Sequence, residues 1–189
     1  SPLCRTLNDY LRYYEIRGED WERQMLIKMS FVGGSKNLYQ TFYKYLQPFI
    51  YPSSFTVSPL EQIKRLKNNI EKKIGVDDNI KLQSGGIRDI EFSVQALQLI
   101  NGGKIVEIKS PNTLEAVSLL SKKKLMTDEE KKVFVEAYVL YRRIEHYLQL
   151  MNDTQIHTIP EEGETLDKLV HFLNYKSVIS FRKKINELK

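Results

Sequence analysis

Apolar residues recur every three to four positions along most of the chain, and strict alternation of apolar and polar residues is rare. That spacing is typical of amphipathic helices rather than of strands. Five predicted helices end at a glycine or a proline, residues that favour termination: Gly18, Gly33, Pro48, Gly75 and Gly102. The second half of the chain predicts four more helices, near 113–121, 127–151, 164–173 and 177–188.

Two predicted helices begin with a capping box, in which a Ser or Thr and a Glu three residues later bond each other's backbone N–H. They begin at Ser58 and Thr127, and Pro59 suits a first helical position. Residues 77–83 predict a connector with a short extended piece at 80–82. Isolated helices of this length are marginal in water, so they must pack together. We therefore expect an all-α helical bundle with little or no β structure.

The apolar stripes predict which side chains form the core. The second helix presents Trp21 and Met25 one turn apart. The longest helix carries the stripe Phe134, Ala137, Tyr138, Tyr141, Ile144 and Leu148.

The segment 84–92, SGGIRDIEF, places two glycines directly before three charged residues. On a helix beginning near Ile87, a wide apolar face is expected from Ile87, Ile90, Val94 and Leu97, extended by Phe92, Ala96 and Leu99. The opposite, narrow strip consists of Arg88, Glu91, Gln95 and Gln98. A mostly buried helix with such a strip needs polar partners or a water-filled cleft.

This helix start has the chemistry of a phosphate cleft. Free N–H groups and two glycines let an anion approach closely, a guanidinium adds paired donors and a nearby lysine adds a point charge. The candidate residues are Lys81, Gly85, Gly86, Arg88, Asp89, Glu91 and Gln95. Asp89 and Glu91 also carry hard oxygen ligands, although we assign no metal site to the chain. The residues also allow a simple cap and tight turn, with Arg88 and Glu91 in an intrahelical or interhelical ion pair.

Composition and charge narrow the classes of function. The chain has 189 residues, enough for one domain or two small ones, and 41% of them are hydrophobic. The net charge of +5 comes from 29 basic residues mixed with 24 acidic ones, and no nucleic-acid module signature is present. No apolar run approaches the roughly 20 residues that span a bilayer. One cysteine, Cys4, excludes an internal disulfide and suits a reducing cytosol. Because the chain does not begin with Met, we expect a fragment of a longer protein.

Three further residues, His146, Asp153 and His157, invite a metal assignment that their positions do not favour. His146 follows Glu145 directly, so the two side chains point apart on a helix, and His157 lies beyond the predicted helix end.

Seven blocks resemble the bacterial glutamine synthetase adenylyltransferases, which add AMP to glutamine synthetase and remove it. The most specific block, GGIRDIEF-x-VQ-x-LQLI-x-GG, covers 85–103, and its core is similar in the PII uridylyltransferases. The others, in family order, are RGEDWER (17–23), LQPFIY (46–51), DNIKL (78–82), NTLEA (112–116), RRIEHYLQ (142–149) and NDTQIHTIP (152–160). Arg88, the NGGK stretch and the RRIEH block are more similar to the half that removes AMP by phosphorolysis.

The resemblance also implies what the chain lacks. The family transfers AMP with a Gly-Ser segment and a D-x-D pair of carboxylates that bind two metal ions. Gly34-Ser35 has no such sequel. The resemblance therefore implies that the catalytic strands precede this chain, that the isolated chain is inactive, and that the longer enzyme uses magnesium with ATP, ADP or phosphate.

The resemblance further implies an arrangement of domains and partners. Residues 1–83 would adjoin the upstream nucleotidyltransferase sheet and 84–189 would form a helical bundle, or both would be one continuous domain. Lys81 and Arg88 would face phosphate, with Asp89 and Glu91 orienting Arg88 or a water. Expected partners are glutamine synthetase and the PII signal protein in a bacterial cytoplasm, with neither nucleic acid nor membrane. The alternative is a non-catalytic regulatory or interaction module that binds the same two proteins.

Overall fold

The computed structural model describes residues 4–55, 57–71, 79–152 and 156–188. Within these ranges it consists of helices joined by turns and one 3₁₀ turn, and the only β feature is an isolated antiparallel bridge between Asn79 and Thr158. The helices are α1 (Leu7–Arg17), α2 (Asp20–Ile27), α3 (Lys36–Ile50), α4 (Pro59–Glu71), α5 (Ile87–Gly102), α6 (Thr113–Lys122), α7 (Asp128–Asn152), α8 (Glu164–Phe172) and α9 (Val178–Glu187). The predicted all-α fold is confirmed. None of the described helices is long and apolar enough to cross a membrane.

The chain divides into two compact units. The first comprises Ser1–Leu66 and Val94–Leu125, and the second comprises Lys67–Ser93 and Met126–Lys189. Helices α4 and α5 therefore contribute residues to both units. The expectation that helices of 1–83 adjoin an upstream nucleotidyltransferase sheet and that 84–189 forms a helical bundle stays a prediction.

The first unit has a core that joins α2, α3 and the C-terminal half of α5. Its buried side chains are Leu26, Ile27, Leu46, Ile50, Tyr51 and Leu99. Gln98 is buried beside this core, and its amide donates to the carbonyls of Ile108 (2.8 Å) and Ser110 (2.9 Å). These bonds hold the 3₁₀ turn Val106–Ile108, which the sequence pattern did not predict. A glutamine from the predicted polar strip is thus satisfied inside the unit rather than at a cleft.

The second unit is built around α7. The predicted stripe of α7 is confirmed, since every one of its members lies in the core cluster or packs against it. Leu166 and Leu169 of α8 and Phe181 and Ile185 of α9 complete this core. The capping box of α7 also forms, with Glu130 N donating to Thr127 Oγ1 (3.1 Å) and Thr127 N donating to Glu130 Oε2 (2.8 Å).

Three further details of the first unit differ from the sequence prediction. Helix α2 ends at Ile27, not at the predicted stop at Gly33. Helix α3 continues through Pro48 to Ile50, although a proline was expected to end it. The lost backbone bond costs up to about 3 kcal/mol, and burial of Ile50 in the core offsets this cost. In α2 the predicted stripe is wrong, because Trp21 and Met25 are about half exposed while Leu26 and Ile27 are buried. The predicted helix stop at Gly75 lies outside the described residues.

Candidate functional site

A tight turn, not an extended piece, leads into α5. The carbonyl of Asn79 accepts from the N–H groups of Leu82 (3.0 Å) and Gln83 (2.7 Å), and its side-chain oxygen accepts from Lys81 and Leu82, both at 3.1 Å. Asparagine closes turns in this way because its short side chain bonds the backbone two residues on. The predicted extended segment at 80–82 is therefore wrong.

This turn folds back onto the first residues of α5. Ile87 N donates to the carbonyl of Ile80 (2.9 Å), and Arg88 N donates to the carbonyl of Lys81 (3.1 Å). The first N–H groups of a helix are normally free to bind an anion. Here two of them are occupied by the turn, so the expectation of a free helix start is wrong.

The two glycines allow this close approach of backbone to backbone. A Cβ atom at Gly86 would lie 2.5 Å from the carbonyl oxygen of Ile80, and Gly85 has a φ of +71°. Side chains rarely tolerate either condition. The glycines thus serve the cap and tight turn, which was one of the two alternatives left open by the sequence.

Both acidic residues of the segment are engaged by protein groups. Asp89 Oδ2 lies 2.5 Å from Lys67 Nζ and accepts from Gly85 N at 3.0 Å, so this carboxylate braces the turn. Glu91 Oε1 lies 2.9 Å from Arg142 Nη2 and accepts from the hydroxyl of Tyr138 at 2.9 Å. Of the two kinds of ion pair that the sequence left open, Glu91 makes the interhelical one, between α5 and α7.

A charged cluster extends from this pair to the turn. We define it as Lys81, Arg88, Glu91, Arg142, Glu145 and His157. Arg142 bridges two carboxylates, since Nη1 lies 2.5 Å from Glu145 Oε2. Glu145 is buried, and its Oε1 lies 3.1 Å from His157 Nδ1, although the two form no hydrogen bond. The other ring nitrogen of His157, Nε2, lies 3.5 Å from Lys81 Nζ.

Sequence reasoning missed Arg142, Glu145 and His157 as members of a site. The position of His157 beyond the helix end does not predict a role in a site. The bridge between Asn79 and Thr158 nevertheless brings its segment to the turn. A signal was present in α7, where Arg142 and Glu145 stand three positions apart beside the buried stripe. His146 is exposed while Glu145 is buried, as their adjacent positions predict.

The surroundings hold the pKa of His157 below its ordinary value. Burial contributes most, the charges of Lys81, Arg142 and Arg88 act in the same direction, and Glu145 opposes them. An ammonium group can only donate, so the nitrogen that faces Lys81 carries the lone pair of the neutral ring. The ring proton then resides on Nδ1, beside Glu145.

Two cations of the cluster have no carboxylate partner within the described part of the chain. They are Lys81 and Arg88, both partly exposed. Arg142, by contrast, is shared by Glu91 and Glu145. The cluster therefore presents surplus positive charge next to a neutral imidazole, an arrangement that suits an oxyanion.

Gln95, the remaining predicted site residue, is buried and belongs to the first unit. The described residues also contain no group of three or more His, Cys, Asp or Glu side chains that could hold a metal ion. Asp153 lies outside the described residues.

The sequence profile of one family, the GlnD PII-uridylyltransferases, matches residues 56–188. The chain belongs to this family. The match includes the turn before α5 and every member of the charged cluster, so the candidate site lies within the part that defines membership in the GlnD PII-uridylyltransferase family.

Curated relatives agree with the resemblance drawn from the seven blocks. Bifunctional glutamine synthetase adenylyltransferase/adenylyl-removing enzymes of Mesorhizobium japonicum, Psychromonas ingrahamii and Agrobacterium fabrum are 33%, 32% and 31% identical to this chain. The matches cover 96%, 99% and 100% of the chain, but only 19%, 20% and 20% of the respective enzymes. The chain thus corresponds to about a fifth of the length of these relatives.

Proposed function

We propose that this chain is the helical portion of a bifunctional glutamine synthetase adenylyltransferase/adenylyl-removing enzyme. The observation that carries the proposal is similarity along nearly the whole chain to one segment of such enzymes. Its role is to support and complete a nucleotidyltransferase site whose metal-binding carboxylates lie in another part of the enzyme. Glutamine synthetase is the proposed substrate protein, and the reaction is removal of AMP by phosphorolysis.

Within that reaction, we assign to Lys81 and Arg88 the binding of a phosphate group. This assignment is supported by the surplus positive charge that the two residues place at a partly exposed position. They lie beside a turn whose backbone is fixed by Gly85, Gly86 and Asp89. A charge-assisted bond to phosphate is worth about 1.5–3 kcal/mol, which corresponds to about one to two decades in rate if it acts at the transition state. Glu91 acts indirectly, because it holds Arg142.

Magnesium does not fit the carboxylates of this site. Asp89 is engaged by Lys67, and Glu91 by Arg142 and Tyr138. A divalent ion would have to displace these cations before it could bind. The magnesium and nucleotide expected of the longer enzyme are therefore assigned no residues here.

The proposal is tested with a chimera. We expect that replacing the corresponding segment of the Mesorhizobium japonicum enzyme by this chain preserves removal of AMP from glutamine synthetase. The matched control carries the equivalent segment of the Psychromonas ingrahamii enzyme. An active control with an inactive, folded chimera would contradict the proposed role of the chain.

A second chimera tests the proposed anion-binding role of Lys81 and Arg88. A chimera with Arg88→Ala and Lys81→Gln should lose at least about tenfold in turnover with an unchanged melting temperature. Full turnover in this double variant would contradict the phosphate role of Lys81 and Arg88 but leave the role of the chain intact.

A docking function is the second candidate, and exposed apolar side chains on the first unit favour it. Trp21, Met25, Leu38 and Tyr45 of α2 and α3 are each about half exposed. The partners proposed for this surface are glutamine synthetase and the PII signal protein. Binding of either protein to the isolated chain, weakened by Trp21→Ser and unaffected by Arg88→Ala, would support docking.

A further inference from the structure

The imidazole of His157 is held between a buried carboxylate and a lysine. Its Nδ1 lies 3.1 Å from Glu145 Oε1, and its Nε2 lies 3.5 Å from Lys81 Nζ. Glu145 is in turn fixed by Arg142 at 2.5 Å. The ammonium of Lys81 therefore favours one tautomer of the ring, with the lone pair on Nε2, before any ligand arrives.

The charges around the ring come from three elements. The turn contributes Lys81, α5 contributes Arg88, and α7 contributes Arg142 and Glu145. Arg142 faces two carboxylates, Glu91 and Glu145, so these three groups together carry one negative charge. With Lys81 and Arg88 added, the cluster keeps one positive charge in excess, and these two cations disfavour a second proton on the ring.

We propose that His157 is the third donor of an oxyanion site with Lys81 and Arg88, and that this site takes up one proton when a dianion binds. The ligand class is a tetrahedral dianion such as inorganic phosphate, sulfate or a phosphate monoester. The inference rests on the anion site proposed above and adds to it a donor and a dependence on pH.

The chemistry of the coupling follows from the positions of the groups. A dianion near Lys81 and Arg88 reverses the local potential, so a proton from solvent adds to Nε2 of His157. The new N–H can then donate to a ligand oxygen, while the proton on Nδ1 stays beside Glu145. The buried carboxylate of Glu145 stabilises the imidazolium that results.

The experiment follows the three histidines of the 189-residue chain by NMR during pH titrations. One titration contains saturating sodium sulfate, and the other contains sodium chloride at equal ionic strength. Sulfate stays dianionic between pH 5 and 8, so a change in the titration reports on the protein. His146 and His171, both exposed, serve as internal controls in the same spectra.

We expect sulfate to raise the titration midpoint of His157 by about one pH unit and to leave the two controls unchanged. By linkage, sulfate should bind about fivefold more tightly at pH 5.5 than at pH 8, and the gain approaches about tenfold only well below the midpoint of the free chain. The variant His157→Gln should bind sulfate with the same affinity at both pH values, and Lys81→Gln should bind it weakly at both.

Two outcomes overturn the inference in distinguishable ways. If sulfate saturates the chain while the midpoint of His157 stays where chloride leaves it, the anion site stands and the proton coupling is wrong. If sulfate does not bind at either pH, the anion site and the coupling are both wrong. Pronounced dependence on pH that persists in His157→Gln would likewise overturn the role of His157.

Discussion

The residues before α5 are determined by the turn that packs on the helix start. Gly86 has no room for a side chain, because its Cβ would lie 2.5 Å from a backbone oxygen that cannot rotate away. The charged residues that follow either brace this turn, as Asp89 does, or remain on its surface, as Arg88 does. Their unusual sequence thus combines a packing requirement with a patch of positive charge.

We expect Gly86→Ala to lower the free energy of unfolding by about 1–3 kcal/mol, because the turn must shift to admit the methyl group. Urea denaturation measures the change. Gly103→Ala is the matched control, since its nearest contact would be an ordinary 3.5 Å. Equal midpoints for Gly86→Ala and the parent chain would show that the turn does not pack so closely.

Removal of the two arginines of the charged cluster should change the free energy of unfolding by different amounts. Arg88→Ala should change the free energy of unfolding by less than about 0.5 kcal/mol, because no described carboxylate loses a partner. Arg142→Ala should cost about 2–3 kcal/mol, since it removes the cation that Glu91 and the buried Glu145 share. Thermal or urea denaturation of both variants measures the two changes in the free energy of unfolding. A large loss for Arg88→Ala would mean that its role is structural.

At the scale of elements, α7 organises the second unit. It buries one continuous face, and it carries Tyr138, Arg142 and Glu145 along the edge of that face at helical spacing. A long helix that is well capped and well packed can hold such side chains in fixed positions. The segment around His157 then needs only a short return path to complete the cluster.

The N-terminal cap of α7 offers a test of this element. Thr127→Ala removes the oxygen that accepts from Glu130 N, and we expect a loss of about 1 kcal/mol in the free energy of unfolding. Thr127→Ser keeps the hydroxyl and should stay close to the parent chain. If both variants unfold at the same denaturant concentration as the parent, the cap contributes nothing.

At the scale of the whole molecule, the chain matches a segment of much longer relatives and contains no D-x-D pair. The two-metal transfer that the family resemblance implies needs carboxylates to hold the metal ions. We therefore expect the activity proposed for the longer enzyme to depend on groups outside this chain.

We expect the purified 189-residue chain, supplied with magnesium and either ATP or phosphate, neither to add AMP to glutamine synthetase nor to remove it. Transfer of radiolabelled AMP provides the measurement, and a full-length relative serves as the positive control. Metal-dependent turnover by the purified chain, absent from preparations of the Arg88→Ala variant, would contradict the assignment of the catalytic carboxylates to another part of the enzyme.

The sequence by itself determined the helical class, most helix limits, the cap of α7 and the family, because periodicity, capping residues and ordered motifs are local properties. It also singled out Lys81 and Arg88 as candidate phosphate-binding cations, and that role stays a prediction. Only the tertiary structure decided that the helix start is closed, that Pro48 continues α3, and that His157 meets Glu145 and Lys81. These outcomes depend on which distant segments pack together. Nothing in the sequence identifies Ile80 as the partner of Ile87, or Glu145 as the partner of His157.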